Sequence, residues 1–398
     1  MTLVHGLEGD LVEPTWDPLR LDEADAVLRG FPEAGGARRV IWHSPRPYSS
    51  AALVLPVRGR RCLLVKRHDG RVRSPESLAE EHRFAEHLRR LAVPVPRVLA
   101  DADGATALRR DGWTYEVHER SAGVDLYREA PSWQPPTTAG HAREGGGALA
   151  RLHLAAAGYG APPRRRAPLQ PLAQVLDDGD LLGAIDREVA ARPALEAALE
   201  GPEVSPHWRE EVAEALQGHR ERLGGLPGEL PRSWAHNDWH VSNLFWSSAG
   251  ARASVVGVID FGLADRTSAT FDLATAIERN AVAWLALRER PAEIARPGLA
   301  TSLVRGYLAE RPLEPVEAEA LAALLPLVHV GFALSELEYF GGILRSRQAV
   351  RTTYETFLLG HARWFSTSAG QLLLDAVAKA AGSPSPTRGA TARRRACH

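Results

Sequence analysis

The segment "WAHNDWHVSNLFW", Trp234 to Trp246, constrains this chain more than any other. His236, Asn237, Asp238, His240, Ser242 and Asn243 stand there among aromatic and apolar neighbours. A buried polar side chain needs a partner or carries a desolvation cost. So dense a polar run between hydrophobic flanks reads as a site and not as ordinary core.

A strand-like run, "SVVGVIDFG", follows and delivers Asp260. Asp238 and Asn243 on one loop, with Asp260 at the end of a neighbouring strand, make an oxygen-rich set suited to Mg²⁺. That ion takes one or two carboxylates and completes its shell with water and phosphate oxygens. Phosphoryl transfer asks little else of a protein: a metal on the phosphates, a group at the acceptor hydroxyl, and a Lys on the donor phosphates. Asp238 is expected to accept the hydroxyl proton, and Asn243 and Asp260 to hold the metal. Lys66 ends the apolar run "CLLVK", and only it and Lys379 are lysines among 48 basic Lys and Arg residues. It is expected to reach the α/β-phosphates, with Glu81 on the next helix as its partner. The adjacent Glu80 is the alternative; helical spacing to Phe84 and Leu88 favours Glu81.

Composition narrows the remaining classes. With 44% hydrophobic and 24% charged residues and a formal net charge of -1, the chain reads as a soluble globular protein. It lacks the basic field of a nucleic-acid binder. Cys62 and Cys397 argue against a disulfide framework or a Cys-based metal site. His236 and His240 are only a loop pair, without zinc-ligand spacing. No basic-then-apolar start and no run of ~18 apolar residues is present, so no signal peptide or membrane span is expected and the cytoplasm is the expected compartment.

The chain order suggests a small β-rich N-terminal lobe with one helix and a larger, mainly helical C-terminal lobe. Strands are expected from Arg38 to Lys66, a helix from Pro75 to Leu91, and a strand in "GWTYEVHERSAG". The boundaries follow as residues 1–118, 119–377, and a Ser-, Pro- and Arg-rich tail at 378–398 expected to be disordered.

The motifs resemble the aminoglycoside phosphotransferase and choline kinase group of the protein-kinase-like fold. That group shows His-Gly-Asp, four residues, then Asn, and later Ile-Asp with an aromatic. His236, Asp238, Asn243 and Asp260 match in order. "TFDLATAIE" resembles its Asp-Leu-Ala helix start, and "EEHRFAEHLRRLAVPVPRVL" its small-lobe helix. The likeness runs from about Ala51 to Phe365, with the Pro-rich middle least covered. It implies an α+β two-lobe fold, ATP and Mg²⁺, and a small-molecule hydroxyl acceptor. His236 and Asp272 are expected to support the catalytic loop. Val117 to Glu119 would offer backbone groups to adenine, with a simple strand as the alternative. Asn237 departs from the family's Gly, although Asn tolerates left-handed backbone. No glycine-rich loop is visible at "HSPRPYSSA"; Ser49 and Ser50 are the candidates to cap phosphate there, and a plain turn is the alternative. Trp239, Trp246, Trp284, Glu278, Glu336, Glu338 and Tyr339 are candidates for the acceptor pocket, most of them expected to be core or solvated residues. An atypical protein kinase and a nucleotide-binding pseudokinase are the competing readings. The short path from Gly262 to "TFDLA" opposes the first. The joint presence of Lys66, Asp238, Asn243 and Asp260 opposes the second.

Overall fold

The computed structural model describes residues 3–177 and 179–382. A short hairpin, β1 (Val4–His5) with β2 (Leu11–Val12), and helix α1 (Leu21–Leu28) precede the main sheet. The sheet is built from β3 (Ala37–His43), β4 (Ser50–Pro56), β5 (Leu63–Asp69), β6 (Ala107–Arg110) and β7 (Trp113–Glu119). Its order is β3-β4-β5-β7-β6 and every pairing is antiparallel. Helix α2 (Pro75–Arg90) lies between β5 and β6 in sequence. Ser74 caps it in a reciprocal box with Ser77, and Pro75 occupies its first turn, where a missing N–H costs nothing.

Side chains alternate across a strand, and that alternation divides the sheet into two jobs. Ala52, Val54, Val65 and Val117 pack with Ala24, Val27 and Leu28 of α1 in a core of their own. The neighbours in sequence, Ala51, Leu53, Lys66 and Glu116, face the cleft instead. The sequence pattern predicts one helix in this lobe; α1 is a second, and it covers the face away from the cleft.

After β7 the chain becomes mainly helical: α3 (Ala139–Ala156), α4 (Leu181–Ala190), α5 (Pro193–Leu199), α6 (Trp208–Leu223) and the short α7 (Leu226–Glu229). Two small antiparallel ladders then carry the polar segment. They are formed by β8 (Arg232–Ala235) with β11 (Asp265–Ser268), and β9 (Leu244–Trp246) with β10 (Val255–Val258). Helices α8 (Ala269–Ala281), α9 (Pro297–Leu308), α10 (Pro315–Leu324), α11 (Val328–Glu338), α12 (Arg347–Thr352), α13 (His361–Phe365) and α14 (Ser368–Ala381) complete the lobe. Residues 378–381, expected to begin the tail, close α14 instead, because Val377 and Ala378 are buried on its apolar face. Residues 383–398 lie outside the described residues. No single helix among the described residues is long and apolar enough to cross a membrane.

The glycine run of α3, "EGGGALA", has a packing cause. A Cβ on Gly146 would meet the carbonyl oxygen of Leu303 on α9 at 2.0 Å, and one on Gly306 would meet that of Arg143 on α3 at 1.8 Å. The two helices therefore touch backbone to backbone. We predict that Gly306→Ala lowers the unfolding free energy by about 1–3 kcal/mol, as overpacking does. Gly147, where a Cβ would meet nothing nearer than 3.3 Å, should accept Ala without loss. Urea midpoints of the two variants check this; equal midpoints would contradict it.

Candidate active site

The polar segment forms a loop between β8 and β9, and one carboxylate organises it. Asp272, fully buried in the first turn of α8, accepts the backbone N–H groups of His236 and Asn237, each at 2.8 Å, and faces His153 Nε2 at 3.0 Å. A carboxylate near a helix N-terminus is also favoured by the aligned peptide dipoles. His236 hydrogen-bonds the Ile259 carbonyl at 3.0 Å, and its Nδ1 receives the N–H of Asp238 at 3.2 Å. Burial pushes the His236 imidazole below its ordinary pKa, so it acts as a neutral spacer. Asn237 takes the left-handed conformation, φ +59°. That is the conformation for which glycine is the default residue. Its amide nitrogen reaches the Leu263 carbonyl at 3.1 Å and its oxygen accepts from Thr267 at 2.8 Å.

Asn243 Nδ2 donates to the Asp238 carbonyl at 2.9 Å, which turns the amide oxygen the other way as an acceptor. The Asn243 carbonyl accepts the N–H of Ile259 at 3.0 Å, so Asn243 and Asp260 are held on adjoining segments. Asp260 is itself left-handed, φ +62°, and lines the cleft. Desolvation by the cleft walls would push its carboxyl up, although its side chain is 42% exposed; the Lys66 ammonium at 3.2 Å overrides this and holds it at about 2. The pair thus offers an ionised carboxylate and an amide oxygen, a donor set that fits Mg²⁺.

Lys66 is not paired with Glu81. Its second partner is Glu116, at 3.4 Å. The reason is register: Lys66 and Glu116 are directly opposed on β5 and β7, so their side chains share a face. Glu116 is buried and also contacts His68 at 2.9 Å, His82 at 2.7 Å and His118 at 2.7 Å. Burial would raise its pKa, but Lys66 and His118 hold it well below the carboxylate range. Burial likewise works against the Lys66 charge, and Asp260, Glu116 and Glu81 together raise its pKa despite it. Glu81 instead meets Arg164 at 3.1 Å. Arg164 also donates to the Gly262 carbonyl at 2.8 Å, so it ties α2 to the segment after Asp260.

Other expected residues are placed differently. Ser50 turns away from the cleft and donates to the Asp17 carbonyl at 2.8 Å, because strand alternation points it at the N-terminal segment. Ser49 does line the cleft, together with Arg46, which the sequence reading missed. The Val117 carbonyl accepts the Leu99 N–H at 2.8 Å and the Glu119 N–H donates to Arg97 at 2.9 Å. Those backbone groups are therefore engaged in an extra strand contact. His118 and Glu119 still line the cleft, as do Arg120 and Ser121 just beyond. Among the acceptor candidates, Trp239 and Trp246 are core, and Glu338 pairs with Arg192. The Tyr339 hydroxyl accepts from Trp16 at 3.1 Å. Glu336 accepts from the Tyr48 hydroxyl at 2.5 Å, and burial raises its carboxyl to about 8. Arg279, next to Glu278, places its guanidinium on the Asp238 carboxylate and over the Trp133 ring, 5.0 Å from the centroid.

Asp272→Ala should unpair two buried backbone N–H groups and cost about 3–5 kcal/mol. Thermal unfolding measures it; a stability like that of the native chain would show that the loop holds itself.

This architecture has relatives. The model of the phosphotransferase enzyme family matches residues 50–313. A homoserine kinase from Acidiphilium cryptum is 30% identical over 259 residues, covering 63% of this chain and 66% of that protein, just under two thirds of its length. A homoserine kinase from Rhodospirillum rubrum is 27% identical over 316 residues, 79% of this chain and 85% of that one. Among solved structures, a microcompartment-associated aminopropanol kinase aligns with a TM-score of 0.59 at 19% identity, over 88% of this chain and 99% of that one. An aminoglycoside phosphotransferase from Alicyclobacillus acidocaldarius aligns with a TM-score of 0.51 at 16% identity, over 92% and 98%. The sheet-plus-helices architecture is thus the protein-kinase-like fold, and the chain belongs to the phosphotransferase enzyme family.

Proposed function

We propose that this protein is an ATP-dependent kinase that phosphorylates a hydroxyl of a small molecule, with hydroxy amino acids and amino alcohols the first acceptors to test. One observation carries the reading: an unbroken run of contacts links Lys66 to Asp260 at 3.2 Å, the Ile259 N–H to the Asn243 carbonyl at 3.0 Å, and Asn243 Nδ2 to the Asp238 carbonyl at 2.9 Å. Lys66, Asn243 and Asp260 line the cleft, and the loop contact from Asn243 joins Asp238 to them, which supports donor-phosphate, metal and acceptor roles for the set. The names of the homoserine kinase relatives and of the aminopropanol kinase support the acceptor class.

In this reading the sheet lobe, residues 1–118, covers the phosphates and the helical lobe, residues 119–377, carries the catalytic loop and acceptor. Lys66 meets the donor phosphates, and Ser49 and Arg46 border them on the β3–β4 turn. Asn243 and Asp260 would hold Mg²⁺, which supplies charge neutralisation at the phosphate oxygens. Asp238 takes the proton of the acceptor hydroxyl, while Arg279 fixes the orientation of its carboxylate. Glu119, Arg120 and Ser121, which all line the cleft, would border adenine, and of the expected stretch only Val117 stands back from it.

Asp238→Asn should retain ATP binding and lose about 10²–10⁴-fold in turnover, the usual worth of a positioned base. ADP release measured across homoserine-like, amino-alcohol, aminoglycoside and sugar acceptors tests this. Acceptor-independent ADP release, unchanged in the variant, would refute the reading. The same assay separates the two lysine partners: Glu116→Gln should raise the KM for ATP more than Glu81→Gln does. The reverse order would restore Glu81 to the role.

A further inference from the structure

We propose that Glu278, His329 and His361 form a binding site for a zinc-class divalent cation, separate from the Asn243–Asp260 pair. The three residues come from α8, α11 and the first position of α13, and each is at least 96% buried. One Glu278 oxygen lies 3.1 Å from His361 Nδ1 and 3.7 Å from His329 Nδ1. Their ligand atoms all fall within 4.8 Å of one another. Tetrahedral zinc with bonds of about 2.0–2.2 Å sets its ligands about 3.4 Å apart, a spacing these contacts bracket.

Despite this closeness, each residue leaves a buried polar atom unpaired among the described residues. That Glu278 oxygen, His329 Nε2 and both ring nitrogens of His361 are buried without a hydrogen-bond partner. Unpaired buried polar atoms are costly, and the Glu278 oxygen and His361 Nδ1, which face each other at 3.1 Å with His329 Nδ1 3.7 Å from that oxygen, call for a shared partner. Burial keeps both imidazoles in the neutral form that ligates metal. Two nitrogens and one carboxylate oxygen select zinc or a late first-row ion over Mg²⁺, which prefers oxygen.

The surroundings hold the ligands in place. The Trp284 ring stacks on His361 at 3.6 Å and 10°. Trp133 meets the edge of His329 at 5.4 Å, and Phe357 lies 5.6 Å from His361. Trp133 reaches this position from a left-handed backbone, φ +59°, an outlier for so bulky a residue. His361 directly follows a π-helical stretch, Thr353–Gly360, a widened turn frequent at functional sites. Arg279 turns its guanidinium onto Asp238, and its charge still acts on both imidazoles, where it opposes their protonation. The site would lock α8 beneath Arg279 and so steady the Asp238 carboxylate.

Metal uptake by the tag-free full chain tests this without any phosphotransfer readout. Protein stripped with chelator should bind about one Co²⁺ per chain, with the visible absorption of a four-coordinate ion, and Zn²⁺ should displace it and raise Tm. Glu278→Gln, which keeps the side-chain shape, and His329→Ala should each weaken Co²⁺ binding by about a hundredfold or more. Asp260→Asn should leave it unchanged. A wild-type chain that takes up neither ion, or uptake unaltered in Glu278→Gln and His329→Ala, overturns the proposal. So does a metal-free enzyme in which Glu278→Gln raises KM only for amine-bearing acceptors, since the box would then hold an ammonium group. Because uptake is read directly, its failure leaves the kinase reading untouched.

Discussion

The acceptor side of the cleft depends on one buried carboxylate. Asp272 is fully buried, and two backbone N–H groups and His153 converge on its carboxyl. Those two N–H groups belong to the residues just before Asp238. The position of the proposed base is therefore fixed by main chain bonded to the start of α8. His236 and Asn237 extend the same control, one to the Ile259 carbonyl and the other to Leu263 and Thr267. The loop is thus tied to the segments on both sides of Asp260, which brings the acceptor and metal groups into one frame.

The nucleotide side rests on a different principle. Lys66 sits among Glu116, Asp260 and Glu81, and its charge survives burial because three carboxylates compensate the lost water. Glu116 is in turn surrounded by Lys66 and three histidines. A buried charge of either sign would be unfavourable alone; as a network each stabilises the next. Arg164 joins α2 to the segment after Asp260, and Arg73 donates to the same Gly262 carbonyl at 2.9 Å. Movement of α2 would be felt at Asp260 through those arginines.

The loop that bears the proposed base was legible because its polar residues are local. His236, Asp238 and Asn243 lie within eight consecutive positions, and the strand before Asp260 announces itself by its apolar run. The φ of Asn237 even explains how a non-glycine residue fits the turn. The partner of Lys66 was not legible. Helical spacing correctly put Glu81 on the inward face, but burial of a carboxylate does not say which cation it meets. The available signal was Glu116, an acid inside the strand "WTYEVHE", and it becomes meaningful only once β5 and β7 are known to pair in that register. Ser50 failed for a related reason: strand alternation, set by pairing with β5, turned it outward.

Sequence alone determined the residue types of the phosphotransfer set and the order of the elements that bear them. Both follow from short-range patterns, namely motif spacing, strand alternation and helix periodicity. The tertiary structure decided which charges meet. It placed Glu116 and not Glu81 against Lys66, Arg164 against Glu81, Arg279 against Asp238, and Glu278 beside His329 and His361. Those pairs join residues 41 to 83 positions apart, and long-range register and helix packing set them. No local period in a chain encodes that choice.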